Sequence, residues 1–308
     1  MLSFFKKNSD KKKSLLNREK PSHRPRFHSL KVQDITRETS DCISVAFEIP
    51  ENLQEEYNFL PGQYLTIEHE IGGEKVRRSY SLCSSPVDGE LRVAIKKVEN
   101  GKFSTFANED LTVGTELQVM TPEGKFTVTV DENNEKHYVA FAAGSGITPV
   151  FSIAKSVLAS EPKSKFTLFY GNKTTISVIF RDEIDALKNK YMERFEVHHI
   201  LSREDQGTDW LKGHIDSSKV KHFAEAFFDI KNTEAFFICG PEAMINTVND
   251  KLQKLGVDKG NIHYELFTSP SQKMAHKTKV SAEKTSEKLQ SAVTVILDGD
   301  ETHFDVAS

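Results

Sequence analysis

The sequence predicts a small antiparallel β-barrel, then an α/β domain built on a parallel sheet, then a linker leading into a partial β-hairpin module. Three observations carry this expectation. Short strands with period-two stretches and glycine or proline turns run from about Ser29 to Val130. From His137 onward, apolar strands alternate with helical segments, the pattern of a parallel sheet covered on both faces. From about Ser271 to Ser291 the chain is rich in Lys, Ser, Thr and Glu, and a strand, an Asp-Gly turn and a second strand follow.

In the first segment, strands are expected at 29–36, 42–49, 63–70 and 91–98. Turns fall at Gly72-Gly73, Asp88-Gly89 and Pro122-Glu123-Gly124, and one short helix spans about Ser104 to Glu109. In the second, strands at 137–144, 165–172, 195–202, 234–240 and 262–267 alternate with helices at 148–160, 179–191, around 217–227 and at 242–256. The expected domains are a tail at 1–26, a barrel at 27–132, an α/β domain at 133–270, a linker at 271–291 and a further module from 292 to 308. A two-stranded hairpin is not stable alone, so the chain reads as stopping just inside a third domain.

The 308 residues are 37% hydrophobic and 28% charged, which supports a packed core and excludes a disordered chain. No stretch approaches the ~18–20 apolar residues of a membrane-spanning helix. Cys42, Cys83 and Cys239 are far apart, with no CxxC pair. That argues against a disulfide scaffold, a zinc ribbon or a four-cysteine iron–sulfur site within the chain, and no metal ligands are assigned. The formal net charge of −4 is uneven: residues 1–26 hold nine basic residues against two acids. The plain reading is a solvated tail; contact with anionic lipid or nucleic acid is the alternative. The acidic remainder argues against nucleic acid as the main partner. The apolar run in MLSFFKK is too short for a secretory signal, so a cytoplasmic location is expected.

Four motifs carry chemistry. Arg78-Ser79-Tyr80-Ser81 puts a guanidinium that can neutralise a phosphate beside a phenol that can stack and a hydroxyl that can hydrogen-bond a ring nitrogen; alone it also fits an ordinary polar strand. Gly101-Lys102-Phe103-Ser104 opens a short helix whose N–H groups suit a pyrophosphate, or is a simple turn with Ser104 as cap. Gly144-Ser145-Gly146-Ile147-Thr148-Pro149 follows an apolar strand and opens a helix, the setting of a nucleotide-phosphate loop or of a tight turn. Cys239-Gly240-Pro241-Glu242, with Met244, lies at another strand end, where Gly240 permits close approach of a ligand and Cys239 is either at the mouth of the sheet or plain packing.

In this order, RxYS, GxGxTP and CGP resemble the ferredoxin–NADP reductase superfamily, over roughly Phe27 to Phe267. Finer stretches (PGQYLTI, RRSYSLCSSP, KKVENGKFSTFANE, VMTPEGKF, YGNKT, IFRDEI, HILSRE, CGPEAMI, HYELF) look like the reductase components of phenylacetyl-CoA epoxygenases and related hydroxylases. The resemblance implies a flavin-binding barrel, a nicotinamide-nucleotide domain and a C-terminal [2Fe–2S] ferredoxin domain. Here AVTVILDGDETHFDVAS resembles the start of such a domain, whose cluster cysteines would lie beyond Ser308. A truncated piece of a longer reductase is therefore the expectation.

The resemblance also implies roles. Arg78 pairs with the flavin pyrophosphate; Tyr80 packs on the isoalloxazine and Ser81 lies near N5. The backbone around Ala94, Lys96 and Val98 faces the ribityl and phosphate portion, and Gly101, Lys102, Phe103 and Ser104 complete the pyrophosphate site. Gly144, Gly146 and Thr148 take the nicotinamide nucleotide, with Gly240, Pro241 and Met244 lining its site and Cys239 near the nicotinamide. Glu265 relays a proton, or is a polar strand-end residue, and Phe267 lies beside the flavin. Ser202-Arg203, with Arg181 as a second candidate, favours the 2′-phosphate of NADPH; the adjoining Glu204 and Asp205 count against it. The implied cofactors are FAD, or FMN as in some relatives, and NADPH. The implied acceptors are oxygenase subunits or a ferredoxin. Two other readings stay open: a stand-alone ferredoxin or flavodoxin reductase, and a non-catalytic nucleotide-binding scaffold subunit. His198 and His199 lack a spaced metal partner and read as packing, and Trp210 as a loop anchor.

Overall fold

The computed structural model describes residues 25–267 and the backbone of two further strands, Ser291–Leu297 and Asp300–Val306. The chain divides into two units, Met1–Leu266 and Phe267–Ser308. Most of the expected tail (1–24) and most of the expected linker (268–290) lie outside the described residues, as does the Asp298-Gly299 turn.

The first unit opens with a six-stranded antiparallel sheet ordered β4-β3-β6-β1-β2-β5. Its strands are β1 (Phe27–Thr39), β2 (Cys42–Glu48), β3 (Tyr64–Ile71), β4 (Glu74–Ser81), β5 (Leu91–Lys96) and β6 (Glu116–Met120). Period-two patterning buries Leu30 and Val32 on β1 and Leu117 and Val119 on β6, and these close one core with Ile43, Val45, Leu65, Ile67 and Val93. Two strands lie outside the four expected from alternation. β4, the polar strand that carries the Arg78 motif, reads EKVRRSYS and lacks an apolar alternation; β6 has only five residues. The short helix α1 (Lys102–Glu109) begins two residues earlier than expected. Ser104 is therefore inside its first turn and does not cap it: its hydroxyl accepts from the Val98 N–H at 3.2 Å and donates to the Gly101 carbonyl at 3.3 Å.

The second sheet is parallel and ordered β11-β10-β7-β8-β9. It comprises β7 (His137–Ala143), β8 (Lys165–Asn172), β9 (Phe195–Leu201), β10 (Thr233–Gly240) and β11 (Ile262–Leu266). Helices α2 (Ile147–Ser160), α3 (Arg181–Lys190), α4 (Ser217–Ala226) and α5 (Glu242–Lys254) connect the strands, in the expected order. Both faces are covered. One core packs Ala140, Ala142, Leu168 and Phe237 against α2 and α3; the other packs Phe141, Phe169 and Ile238 against α4 and α5. This explains the continuous apolar runs in these strands.

Helix α2 is buried almost all round because the sheet covers one side and the barrel the other. Ser152, Lys155 and Ser156 lie on the barrel side. The Ser152 hydroxyl donates to the Ser84 carbonyl at 2.6 Å and accepts from the Gly62 N–H at 3.3 Å. Ser85 and Ser156 hydroxyls meet at 2.8 Å, and Lys155 pairs with Asp88 at 2.5 Å. The helix end is held by Glu161, which is fully buried; its carboxylate accepts from the Asp131 N–H, the Asn134 amide and the Tyr138 hydroxyl. In the second unit, the two C-terminal strands pair antiparallel from Ser291↔Val306 to Leu297↔Asp300, the hairpin expected from the sequence.

Replacing Glu161 by Ala leaves three donors without their acceptor: the buried Tyr138 hydroxyl, at a cost of roughly 1–3 kcal/mol, and the Asp131 N–H and Asn134 amide, which water can reach and which cost less. The expected loss is about 2 kcal/mol, read as a fall of several degrees in the thermal midpoint. Glu161→Gln, which keeps an acceptor, should lose less.

Candidate active site

The barrel is open along one line. β4 and β5 are the outermost strands of its sheet, and among the described residues one isolated bridge, Leu82–Val93, joins them. The residues expected to meet a flavin line this seam. Arg78 and Tyr80 are two apart on β4 and so share a face; both are partly exposed. Arg78 donates one N–H to the Arg77 carbonyl and forms no ion pair among the described residues. Tyr80 packs against Phe103 at 5.7 Å between ring centroids, and burial pushes its phenol pKa up. Across the seam, Ala94 is buried, Lys96 pairs with Asp41 at 3.5 Å and Val98 is exposed. Gly101 caps α1. Phe103 is core, so only its backbone can serve a ligand; the Lys102 ammonium is taken by Glu74. A planar ring system beside Tyr80, with its phosphates toward Arg78 and the N-terminus of α1, fits this donor set.

The nucleotide motifs gather at the carboxyl ends of β7 and β10. Gly144 has φ +55°, and a side chain there would meet nothing within 4 Å, so the backbone stands open to a ligand. Gly146 is needed for another reason: a Cβ would lie 2.2 Å from the Cys239 carbonyl oxygen. That contact locks the GxG turn onto the CGP strand end. Thr148 is buried and its hydroxyl donates to the Ser145 carbonyl at 3.0 Å, so the side chain serves the turn. Gly240 and exposed Pro241 lead into α5, and a Cβ on Gly240 would press the Met244 methyl at 2.8 Å.

One hydrogen bond joins the two groups of motifs. The Ser81 hydroxyl donates to Glu265 Oε2 at 3.0 Å, across 184 residues of sequence. Glu265 lies beside Cys239 in the β10–β11 register. Burial raises its carboxyl from 4.5 to about 7, against the lowering effect of Ser81. Cys239 is fully buried, and burial, then the charge of Glu265, holds its thiol well above the ordinary value. The motif therefore places this thiol beneath the sheet end rather than at an open mouth. Cys42 and Cys83 are buried as well; burial pushes Cys42 up to about 12 and Cys83 further up. Phe267 follows β11 and is exposed.

Ser202 and Arg203 sit past β9, where their N–H groups donate to the carbonyls of Asn172 and Lys173 at 2.9 and 2.8 Å. His198 stacks on Phe169 at 5.0 Å, and Trp210 stacks on His222 at 3.8 Å, as packing and anchoring residues. No cluster of three or more metal-ligating side chains occurs among the described residues. Sequence reasoning gave no role to Ser84, Ser85, Ser152 and Ser156, which join barrel to sheet. The signal was available: serines at i and i+4 on an otherwise apolar helix.

Comparison with known proteins agrees with this geometry. Residues 29–128 match the oxidoreductase FAD-binding domain and residues 141–250 the oxidoreductase NAD-binding domain. These matches define a flavoprotein oxidoreductase with an FAD domain and a nicotinamide-nucleotide domain. A component of the 1,2-phenylacetyl-CoA epoxidase of Escherichia coli K12 is 40% identical over 257 residues, 83% of this chain and 72% of that protein. The ferredoxin reductase component of 3-ketosteroid-9-alpha-monooxygenase from Rhodococcus rhodochrous is 34% identical over 253 residues, 81% of this chain and 67% of that one. The FAD/NAD-binding domain of nitric oxide dioxygenase from Vibrio cholerae superposes with a TM-score of 0.67 at 26% identity, covering 79% of this chain and 99% of that one. The chain belongs to the ferredoxin reductase-like family of FAD- and NAD-binding oxidoreductases. No helix among the described residues is long and apolar enough to cross a membrane.

Glu265 gives a pH signature. Its folded pKa of about 7 exceeds the ordinary 4.5, so the folded state holds the proton more tightly. Its stabilising contribution is full below about pH 4.5 and lost as pH rises through 7, on the order of 3 kcal/mol at most. Unfolding free energies of the wild type and Glu265→Gln should therefore diverge over that window, the wild type losing stability relative to the variant. Parallel curves would remove the buried-carboxyl assignment.

Proposed function

We propose that the chain is the reductase of a multicomponent oxygenase, taking a hydride from NADPH onto FAD and sending electrons through a [2Fe–2S] ferredoxin centre to the oxygenase. The observation that carries this reading is the Ser81–Glu265 bond, which brings the barrel seam and the nucleotide loops to one cleft. Bound FAD supplies the conversion of a two-electron hydride into single electrons. The relatives named above support the acceptor class, and 1,2-phenylacetyl-CoA epoxidase is the proposed system.

In this reading Arg78 and the N–H groups of Gly101, Lys102, Phe103 and Ser104 bind the flavin pyrophosphate. Ala94, Lys96 and Val98 border it along β5. Tyr80 orients the ring. Gly144, Gly146, Thr148, Gly240, Pro241 and Met244 shape the floor for the nicotinamide nucleotide, and buried Cys239 sets its depth. Ser81 and Glu265 hold and move a proton between them; Glu265, poised near 7, is matched to that task at neutral pH. Arg203, with Ser202, selects the 2′-phosphate.

The test is an absorption spectrum after reconstitution with FAD, then anaerobic addition of NADPH or NADH. Flavin bands that bleach faster with NADPH are expected. Failure to bind FAD or FMN would sink the reductase reading, and faster bleaching with NADH would overturn the cofactor preference. Arg203→Ala should lower kcat/KM for NADPH about 10- to 100-fold, the value of a charge-assisted hydrogen bond, and change that for NADH little.

A further inference from the structure

We propose that Glu204 is a positioning residue that makes this loop selective for a phosphate, by giving its carboxylate to Thr175 and thereby fixing Lys173 beside Arg203. The inference rests on the 2′-phosphate reading above and deepens it.

By sequence, an acid next to Arg203 counts against a dianion. The structure turns that acid to another use. Glu204 Oε1 accepts from the Thr175 N–H at 3.0 Å, and Oε2 accepts from the Thr175 hydroxyl at 2.5 Å. Both oxygens are thus spent on the loop after β8. That loop is otherwise a short turn, Thr175–Ser177, closed locally: the Thr174 N–H donates to Ser177 Oγ at 3.0 Å and the Ser177 hydroxyl donates to the Thr174 carbonyl at 2.7 Å.

The neighbouring acid is committed as well. Asp205 accepts from the Lys212 ammonium and the Gly207 N–H, both at 2.9 Å, and these contacts lower its pKa, Lys212 most. Two cations remain. The Arg203 N–H donates to the Lys173 carbonyl, so the backbones of these residues are adjacent beyond the ends of β9 and β8. Neither side chain makes an ion pair among the described residues. Two unpaired cations on neighbouring strand ends, at the carboxyl edge of a parallel sheet, suit a dianion. The clamp from Glu204 to Thr175 is the side-chain tie between the two loops that carry them.

The sign of the mutational effect separates positioning from plain repulsion. A carboxylate that merely repelled phosphate would, when removed, tighten binding in both Glu204→Ala and Glu204→Gln. A positioning carboxylate predicts weaker binding for Glu204→Ala and near-wild-type binding for Glu204→Gln, which keeps an acceptor for Thr175. Thr175→Val, which loses the hydroxyl bond and keeps the N–H bond, should weaken binding in the same direction but by less, and the two together should be no worse than Glu204→Ala alone.

The measurements are calorimetric binding of adenosine 2′,5′-bisphosphate and the KM for NADPH and NADH, all on the full chain with flavin bound. Glu204→Ala is expected to weaken the bisphosphate and raise the NADPH KM by about tenfold, with the NADH KM moving less than about twofold. Tighter bisphosphate binding by Glu204→Ala, or equal rises in both KM values, would overturn the positioning role alone. A wild-type chain that prefers NADH and does not bind the bisphosphate would overturn the underlying cofactor reading, and this inference with it.

Discussion

The open seam between β4 and β5 is the constraint on which the rest depends. A fully closed barrel has no edge and no place for a planar ligand against its strands. Here, among the described residues, one isolated bridge, Leu82–Val93, joins the two outermost strands, and Arg78 and Tyr80 stand on one of them and Ala94 and Lys96 on the other. An open edge is a liability unless something covers it. Helix α1 packs near one end, and the carboxyl edge of the parallel sheet reaches the other through Ser81 and Glu265.

How the two sheets are joined follows from that arrangement. Helix α2 lies between them, and its barrel side carries serines where an isolated α/β domain would have solvent-facing charges. Buried hydroxyls must find partners, and those of Ser152 and Ser156 do. The join is therefore directional: apolar packing of Phe126 on Phe237 supplies area, while the serine contacts fix the register in which the seam meets the nucleotide loops. Gly144 can then stay open above this floor without loosening it, while Gly146 and Gly240 are held close against their neighbours.

Much of this was legible in the sequence because each motif is a local object. A strand end, a glycine turn and a helix start can be read in ten residues, and the alternation of apolar runs with helices marks the parallel sheet element by element. β4 offers no alternation to read, because Val76 is its one aliphatic residue and charged or hydroxylic side chains fill the other positions on both faces. What no local pattern reveals is how side chains are spent. Thr148 looks like a ligand donor but serves Ser145; Lys102 looks like a phosphate cation but pairs with Glu74. Glu204 looks like an obstacle and is a strut. Each outcome depends on partners across a turn or a sheet, and the Ser81–Glu265 contact spans 184 residues.

The three cysteines have a consequence for chemical endurance. A reductase that handles electrons in air meets peroxide, and peroxide attacks the thiolate, not the thiol. All three thiols are buried and held protonated by their surroundings, one of them at the floor of the cleft. The fold therefore exposes no cysteine to the first step of the oxidation ladder.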